Sequence, residues 1–167
     1  MIYISRLKLE DAKALFEFET ENKVFFESMV PKRPEAYYHY SSFREILEEL
    51  LEEQLTGSSY FYLIRDDDNQ LVGRINLIDI ESRTGQLGYR IGKKFTGRGI
   101  ATTAVGLLLK ELEKLGASEV AAKTTSDNIP SQLVLERNGF TKMEEKKEVF
   151  MHGGSGVSFV YYRWEHK

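Results

Sequence analysis

Two stretches of the chain repeat apolar residues at intervals of three and four, and each ends at a glycine. The first runs from Phe43 to Leu55, has glutamates at most other positions, and is followed by Gly57. The second begins after Gly99 and is followed by Gly116. Because this spacing puts apolar side chains on one face of a helix and glycine suits the residue that ends it, both stretches are predicted to be amphipathic helices.

The remaining apolar positions alternate over short segments that are typical of strands. Short helices are predicted from Glu10 and from Asn128, where an asparagine cap precedes Pro130. The aromatic stretch from 22 to 40, which contains Pro31 and Pro34, is predicted to be irregular. The order is β-α-α-β-β-β-α-β-α-β-β, which predicts an α+β fold with a mixed sheet and one βαβ unit. The strands are predicted at Ile2–Leu9, Tyr60–Ile64, Leu71–Ile80, Leu87–Ile91, Glu119–Thr125, Phe140–Phe150 and Val157–Trp164.

Composition limits the classes of protein that fit. The 167 residues, 41% hydrophobic and 29% charged, suit one domain covering 1–167. The sequence contains no run of about 18 apolar residues, so no membrane span is predicted, and the N-terminus does not resemble a signal peptide. The chain has no cysteine, and its net charge of −3 argues against nucleic acid as a partner. We therefore expect a cytoplasmic protein, monomeric or homodimeric, without metal.

The segment from Thr96 to Ala101 joins a predicted strand to a helix through two glycines, an arrangement that favours phosphate binding. A P-loop is excluded because Arg98 and Gly99 stand where its lysine and hydroxyl residue belong. A dinucleotide fingerprint fits Gly97 and Gly99, but Thr102 replaces the third glycine. The pattern [QR]-x-x-G-x-[GA], an acetyl-CoA loop, fits at Gly99 and Ala101 and departs at Thr96.

A second block lies downstream, from Asn128 to Phe140, and fits N-x-x-[SA]-x-x-x-[YL]-x-x-x-G-F. With both motifs at this separation, the whole chain resembles the GCN5-related N-acetyltransferases (GNAT). The first half resembles the RimJ/RimL-type ribosomal-protein alanine N-acetyltransferases. The resemblance implies a mostly antiparallel seven-stranded sheet with one central parallel βαβ unit and helices on both faces. It also implies an acetyltransferase whose co-substrate is acetyl-CoA.

The resemblance implies how acetyl-CoA is held. Backbone N–H groups from Arg98 to Thr102 would bind the pyrophosphate, with Lys93 and Lys94 adding charge. The strand from Tyr89 to Ile91 would pair with the amides of the pantetheine arm. The implied cofactor-binding residues are Tyr89, Arg90, Ile91, Lys94, Thr96, Gly97, Arg98, Gly99, Ile100, Ala101, Thr102, Asn128 and Ser131.

The implied reaction is direct attack of an amine on the thioester, which needs a donor for the carbonyl oxygen and one for the leaving thiolate. A backbone N–H near Ile91 is the candidate for the first. Many relatives use a tyrosine for the second, but Leu135 holds that position here. Ser131 is the predicted substitute, although its hydroxyl could instead cap the helix.

A general base is harder to assign. Asp79 and Glu81 are predicted catalytic carboxylates near the end of the strand before the loop. Glu144 and Glu145 are alternatives on the later hairpin. An α-amine, with a pKa of about 8, needs less help than a lysine amine near 10.4.

The favoured acceptor is therefore a protein N-terminal α-amine. A small amine, such as a polyamine, an aminoglycoside or an amino-acid-like molecule, is an alternative, and so is a non-catalytic acyl-CoA-binding module. Two departures from the RimJ/RimL-type pattern, at Thr103 and Ser158, leave the acceptor open.

Overall fold

A mixed β-sheet lies at the centre of the computed structural model, which describes residues 1–143, 146–152 and 155–166. The strands are β1 Ile2–Arg6, β2 Tyr60–Asp66, β3 Leu71–Glu81, β4 Thr84–Ile91, β5 Glu119–Thr125, β6 Thr141–Lys142, β7 Lys146–His152 and β8 Ser155–Glu165. The α-helices are α1 Ala12–Glu21, α2 Lys23–Glu27, α3 Tyr40–Thr56, α4 Ile100–Glu111 and α5 Ile129–Arg137.

The described strands lie in the order β1-β2-β3-β4-β5-β8-β6, and β7 pairs with β8. Since β6 and β7 pair with successive parts of the β8 edge that faces away from β5, the sheet is seven strands wide. Only β4 and β5 pair in parallel among these strands, and α4 connects them. The predicted mostly antiparallel sheet with one central βαβ unit is confirmed.

Each face of the sheet carries its own apolar core. Side chains from α4 pack with Ile75 and Leu77 of β3 and with Leu135 of α5 on one face. Helices α1 and α3 cover β2 and β3 on the other face, around Leu15 and Leu47. This two-sided arrangement follows from the alternation along the strands, and it confirms the prediction of helices on both faces.

The aromatic stretch before α3 is more regular than predicted. It forms α2 and a 3₁₀ turn at Glu35–Tyr38, in which Phe26 and Tyr37 are buried. Packing of these rings against the core of the α1 side, rather than local propensity, determines the backbone here. The strand predicted over Phe140–Phe150 is also divided, into β6 and β7. Across the described residues, none of the helices combines the length and apolar character needed to span a bilayer.

A buried ion-pair network ties α1 to the sheet. Glu19 has no exposed surface, and its carboxylate lies 2.8 Å from the Arg74 guanidinium and 3.4 Å from that of Arg90. Arg74, on β3, also donates a hydrogen bond of 3.3 Å to the Tyr37 hydroxyl. Burial opposes the charge on Arg74, but Glu19 and Tyr37 together outweigh it and hold the pKa of Arg74 above its ordinary value. One carboxylate therefore fixes neighbouring positions on β3 and β4.

Removing this carboxylate should destabilise the fold. Glu19→Gln keeps the shape of the side chain but leaves the buried guanidinium of Arg74 and the half-buried one of Arg90 without their counter-charge. We expect a loss of about 3 to 5 kcal/mol in the free energy of unfolding, measured by urea denaturation. Glu17→Gln, at an exposed position of the same helix, should change it by less than about 0.5 kcal/mol. Equal stability of the two variants would contradict the role of Glu19.

Candidate acetyl-CoA and acceptor site

The site lies where β4 and β5 separate. The two strands pair only through Thr84–Gln86 and Glu119–Ala121, and beyond these residues they diverge. A Cβ added at Gly88 would meet nothing within 4 Å, so the face of β4 is also open at this residue. The divergence leaves a cleft between the carboxyl ends of two parallel strands, a usual position for a ligand in a parallel sheet unit.

The β4 edge of this cleft presents backbone hydrogen-bonding groups. Gly92 donates its N–H to the carbonyl of Val72, over 2.8 Å, and so turns toward β3. In an antiparallel pair, alternate residues turn toward and away from the partner strand. Tyr89 and Ile91 therefore direct their N–H and C=O groups into the cleft. An amide-rich ligand can pair with them as an added strand would.

At the end of β4 the chain turns into α4 through two left-handed glycines. Gly97 and Gly99 have φ of +76° and +75°, a conformation that costs other residues strain. Gly99 is the N-cap of α4, and no side chain caps this helix. The first hydrogen bond of the helix runs from the N–H of Thr103 to the carbonyl of Gly99, over 3.1 Å. The N–H groups of the first helical turn are thus left for an anion, which the helix dipole also favours.

The cationic side chains near this turn are arranged around it rather than buried in it. Lys94 forms an exposed ion pair of 2.7 Å with Glu21, and the Arg98 guanidinium lies 5.7 Å from the centre of the Phe95 ring. The Thr96 hydroxyl donates to the carbonyl of Lys93. Lys94 and Arg98 add positive charge beside the free N–H groups, and Thr96 stabilises the turn.

A pair of hydroxyl groups faces the cleft from the α4 and α5 side. The Tyr89 hydroxyl lies 2.9 Å from that of Ser131, at the start of α5. The backbone N–H of Ser131 is capped by the Asn128 side chain, over 3.2 Å, so the serine hydroxyl is not needed as a cap. Burial raises the pKa of Tyr89, and the hydrogen bond that it shares with Ser131 offsets this only in part. Tyr89 therefore stays protonated at neutral pH, and the pair can supply a proton or hydrogen bond.

A pocket of about 180 Å³ lies beside the point where β4 and β5 separate. It is on the same face of the sheet as α1 and α3, in a part of that face that these helices do not cover. Its described lining contains amide, lysine, arginine and tyrosine side chains and no carboxylate. The lining residues are Gln86, Ala121, Ala122, Lys123, Met143, Tyr161, Tyr162 and Arg163. The pocket has room for the amine end of an acceptor.

The structure does not bring Asp79 and Glu81 to this site. Glu81 pairs with Thr84, at the end of the β3–β4 hairpin where β4 and β5 are still joined. Thr84 and Tyr89 are separated by about 17 Å at the usual rise of ~3.3 Å per strand residue. Both carboxylates are exposed, and Asp79 lies in a register irregularity with φ of +53°. The prediction that they serve as base therefore loses its geometric support, while Glu144 and Glu145 lie outside the described residues.

Two features of the site were missed in the sequence. One is the hydroxyl of Tyr89, since the sequence indicated only a backbone role for this residue. The other is the network of Glu19, Arg74 and Arg90. The signal for the network was present, because an arginine among the apolar residues of a predicted strand needs a buried partner. Its partner is Glu19, beside Phe18 on the apolar side of the first helix.

Comparison with known proteins identifies the family. Residues 2–141 match the family model described as the acetyltransferase (GNAT) domain. The chain belongs to the GNAT acetyltransferase family. A probable N-acetyltransferase of Bacillus subtilis (strain 168), YjcK, is 30% identical over 84% of this chain and 81% of its own length. The [ribosomal protein uS5]-alanine N-acetyltransferase of Escherichia coli (strain K12) is 25% identical over 79% of this chain and 73% of its own length.

Solved structures of GNAT proteins have the same fold. The ribosomal-protein-S5-alanine acetyltransferase of Vibrio fischeri superposes with a TM-score of 0.90 at 20% identity, over 99% of this chain and 93% of that one. RimL, a ribosomal L7/L12 α-N-protein acetyltransferase solved with coenzyme A, gives 0.88 at 20% identity, over 99% and 94%. This protein is an acetyl-CoA-dependent N-acetyltransferase of GNAT type, so the predicted family, enzyme class and co-substrate are confirmed.

Substitutions at Gly99 and Gly116 should distinguish an effect on coenzyme A binding from an effect on the stability of the fold. Gly99→Ala and Gly116→Ala both place a side chain at a positive φ, +75° and +77°, with nothing within 4 Å of the new Cβ. Each should lose about 1 to 2 kcal/mol of stability. Only Gly99→Ala should also weaken coenzyme A binding, by about tenfold, because only Gly99 sets the N-terminus of α4. Titration calorimetry checks this, and equal affinities for coenzyme A in the two variants would contradict it.

Proposed function

We propose that this GNAT protein transfers the acetyl group to the α-amine at the N-terminus of a protein. The observation that supports this best is the chemistry of the cleft: its described residues supply hydrogen-bond donors, the Tyr89–Ser131 pair among them, and no carboxylate is among the described residues that line the adjoining pocket. Glu19, the nearby buried carboxylate, is engaged by two arginines. A site built this way favours an amine that needs little help to lose its proton.

The acceptor's own pKa decides between amine classes. An α-amine, with a pKa of about 8, is neutral to about one part in ten at pH 7, whereas a lysine amine is neutral to only about one part in a few thousand. The α-amine can therefore react where the described residues provide no strong base, with water as the proton acceptor. The names of the Escherichia coli and Vibrio fischeri relatives, which acetylate ribosomal-protein alanine, point to the same class of acceptor.

In the proposed mechanism each part of the cleft has one role. The free N–H groups of Ile100 to Thr102 bind the pyrophosphate. The edge of β4 pairs with the pantetheine amides through Ile91, which is nearer to α4. Tyr89 lies two residues before Ile91 and therefore further from α4. Its N–H is better placed than that of Ile91 to stabilise the negative charge that develops on the thioester carbonyl oxygen.

The amine attacks the thioester carbonyl carbon and forms the new C–N bond. The C–S bond then breaks, and the thiolate leaves with both electrons. The hydroxyl of Ser131 accepts a hydrogen bond from the Tyr89 hydroxyl and donates its own proton to the thiolate, while Tyr89 passes its proton to Ser131. Tyr89 regains a proton from water. The excess proton of the amine passes to water.

Acceptor identity and pH dependence test the proposal together. We expect thiol release with a lysine-free peptide whose N-terminus is open, and none with an N-terminally blocked peptide containing one lysine, or with spermidine. The kcat/KM for the open peptide should rise with pH and level off at about 8, the pKa of the amine. Because burial raises the pKa of Tyr89 above its ordinary value of about 10, no fall should follow below that pH. Turnover of the blocked peptide or of spermidine, without turnover of the open peptide, would refute the α-amine proposal.

Removing the Ser131 hydroxyl tests its role as proton donor. Ser131→Ala should lower kcat by about 100-fold, the lower end for general acid catalysis, because a thiolate with a pKa of about 8.5 leaves with little assistance. The helix cap is kept, since Asn128 bonds the backbone N–H of residue 131, so thermal unfolding should be unchanged. Ser131→Thr keeps the hydroxyl and should retain most of the activity. A fully active Ser131→Ala variant would remove this assignment.

A further inference from the structure

Positive charge exceeds negative charge in a cluster next to the cleft, formed by Glu19, Arg33, Arg74 and Arg90. The single carboxylate of the cluster is engaged by Arg74 and Arg90. Arg33 forms no ion pair among the described residues. Its guanidinium lies 4.4 Å from the centre of the Tyr37 ring, and its Nε is buried without a hydrogen-bond partner. Three guanidinium groups thus share one carboxylate.

The excess charge is felt at Arg90. Burial lowers the pKa of Arg90, and the positive charge of Arg33 is the next largest cause. Glu27 is the next nearby carboxylate, and its charge acts on Tyr38 together with those of Arg33 and Arg90. Even when Glu27 is counted, three cations face two anions. Half-buried like charges are costly without a counter-ion, so this arrangement is suited to binding an anion.

The cluster also lies on the face of the sheet opposite the Tyr89–Ser131 pair. Successive strand residues point to opposite faces, so Tyr89 faces Ser131 whereas Arg90 faces α1 and α2, 5.1 Å from the Phe26 ring. The two residues are neighbours on β4, with a rise of only about 3.3 Å between them. An amine that attacks from the face opposite Ser131 therefore has the rest of its molecule beside Arg90 and Arg33.

We propose that Arg33 and Arg90 form a subsite for a carboxylate carried by the acceptor, close to the amine that is acetylated. Guanidinium groups bind carboxylates through paired hydrogen bonds, and the terminal N–H groups of Arg33 have no ion-pair partner among the described residues. The carboxylate is an acidic side chain at the start of an acceptor peptide or the acid group of a small amine. The subsite rests on the proposed function and narrows its substrate class, and its charge disfavours polyamines.

Matched acceptors test the subsite and distinguish the two sources. The peptide pair is Ala-Asp-Ala-Ala amide and Ala-Asn-Ala-Ala amide, and the small-molecule pair is aspartic acid α-amide and asparagine α-amide. With rates expressed per neutral amine, the acidic member of at least one pair should have a kcat/KM higher by about tenfold or more, the size expected of a charge-assisted hydrogen bond. The pair that shows the preference identifies the source. Ratios within twofold of one in both pairs would overturn the proposal.

Variants at two adjacent residues separate a specific contact from net charge. Arg33→Gln should reduce the acidic-to-neutral ratio to near one, and Arg33→Lys should give an intermediate ratio. Lys32→Gln removes the same charge from the exposed neighbouring residue and should leave the ratio unchanged. Arg74 is unsuitable for this test, since its loss would leave Glu19 without its closest partner. An equal effect of Lys32→Gln and Arg33→Gln would also overturn the proposal.

Binding gives a second measurement that does not need turnover. The N-acetylated forms of the two peptides and of the two amides are titrated calorimetrically into the protein loaded with coenzyme A. The acidic product of at least one pair should bind about tenfold more tightly than its neutral partner, and Arg33→Gln should remove the difference. If no acceptor releases thiol, the proposed function fails and these affinities alone decide on the subsite. Equal affinities in both pairs would then refute it.

Discussion

Parallel pairing between β4 and β5 ends after three residues on each strand, and this early separation determines where every part of the site lies. Backbone groups that leave a ladder must find other partners or stay in contact with water. On β4 those groups belong to Tyr89 and Ile91, and in the proposed mechanism their partners belong to the co-substrate: a pantetheine amide for Ile91 and the thioester carbonyl oxygen for Tyr89. A fully paired β4 and β5 would have satisfied the sheet and closed the cleft.

A strand that lacks a partner on one side must be held by other contacts. Glu19 supplies one of them, because its carboxylate joins Arg90 on β4 to Arg74 on β3. Asn22 supplies another, since its side chain accepts a hydrogen bond of 2.9 Å from the N–H of Lys93, just after β4. Both residues lie at the end of the first helix. The open edge of β4 is therefore positioned by the end of α1, which packs on the sheet face opposite α4.

The site could be predicted from the sequence where its chemistry is local. Gly99 sets the start of α4 and Asn128 caps α5, and both follow from the residues of a single turn. Contacts between distant segments could not be predicted in this way. Ser131 meets Tyr89 across 42 residues, and Arg74 meets Glu19 across 55, because strand register and not spacing in the chain brings them together.

The same reason explains why Asp79 and Glu81 lie away from Tyr89 and Ser131. They precede the glycine loop closely in the sequence, so a linear interpretation puts them near it. In the structure β3 and β4 form an antiparallel hairpin, so the residues nearest the turn, which include Glu81 and Thr84, lie furthest from the loop. A residue close to the turn of a hairpin therefore lies far from the point where the second strand ends.

The proposed carboxylate subsite also bears on the missing base. An amine bound beside Arg33 and Arg90 feels their positive charge, and a like charge nearby lowers the pKa of an ammonium group. A decrease of one unit, from about 8 to about 7, raises the neutral fraction at pH 7 from about one tenth to about one half. A carboxylate on the acceptor compensates for the repulsion and keeps the molecule bound. The arginines would therefore anchor the acid group of the acceptor, and they favour the reactive form of its amine only as far as their positive charge exceeds the negative charge of the bound carboxylate and Glu19.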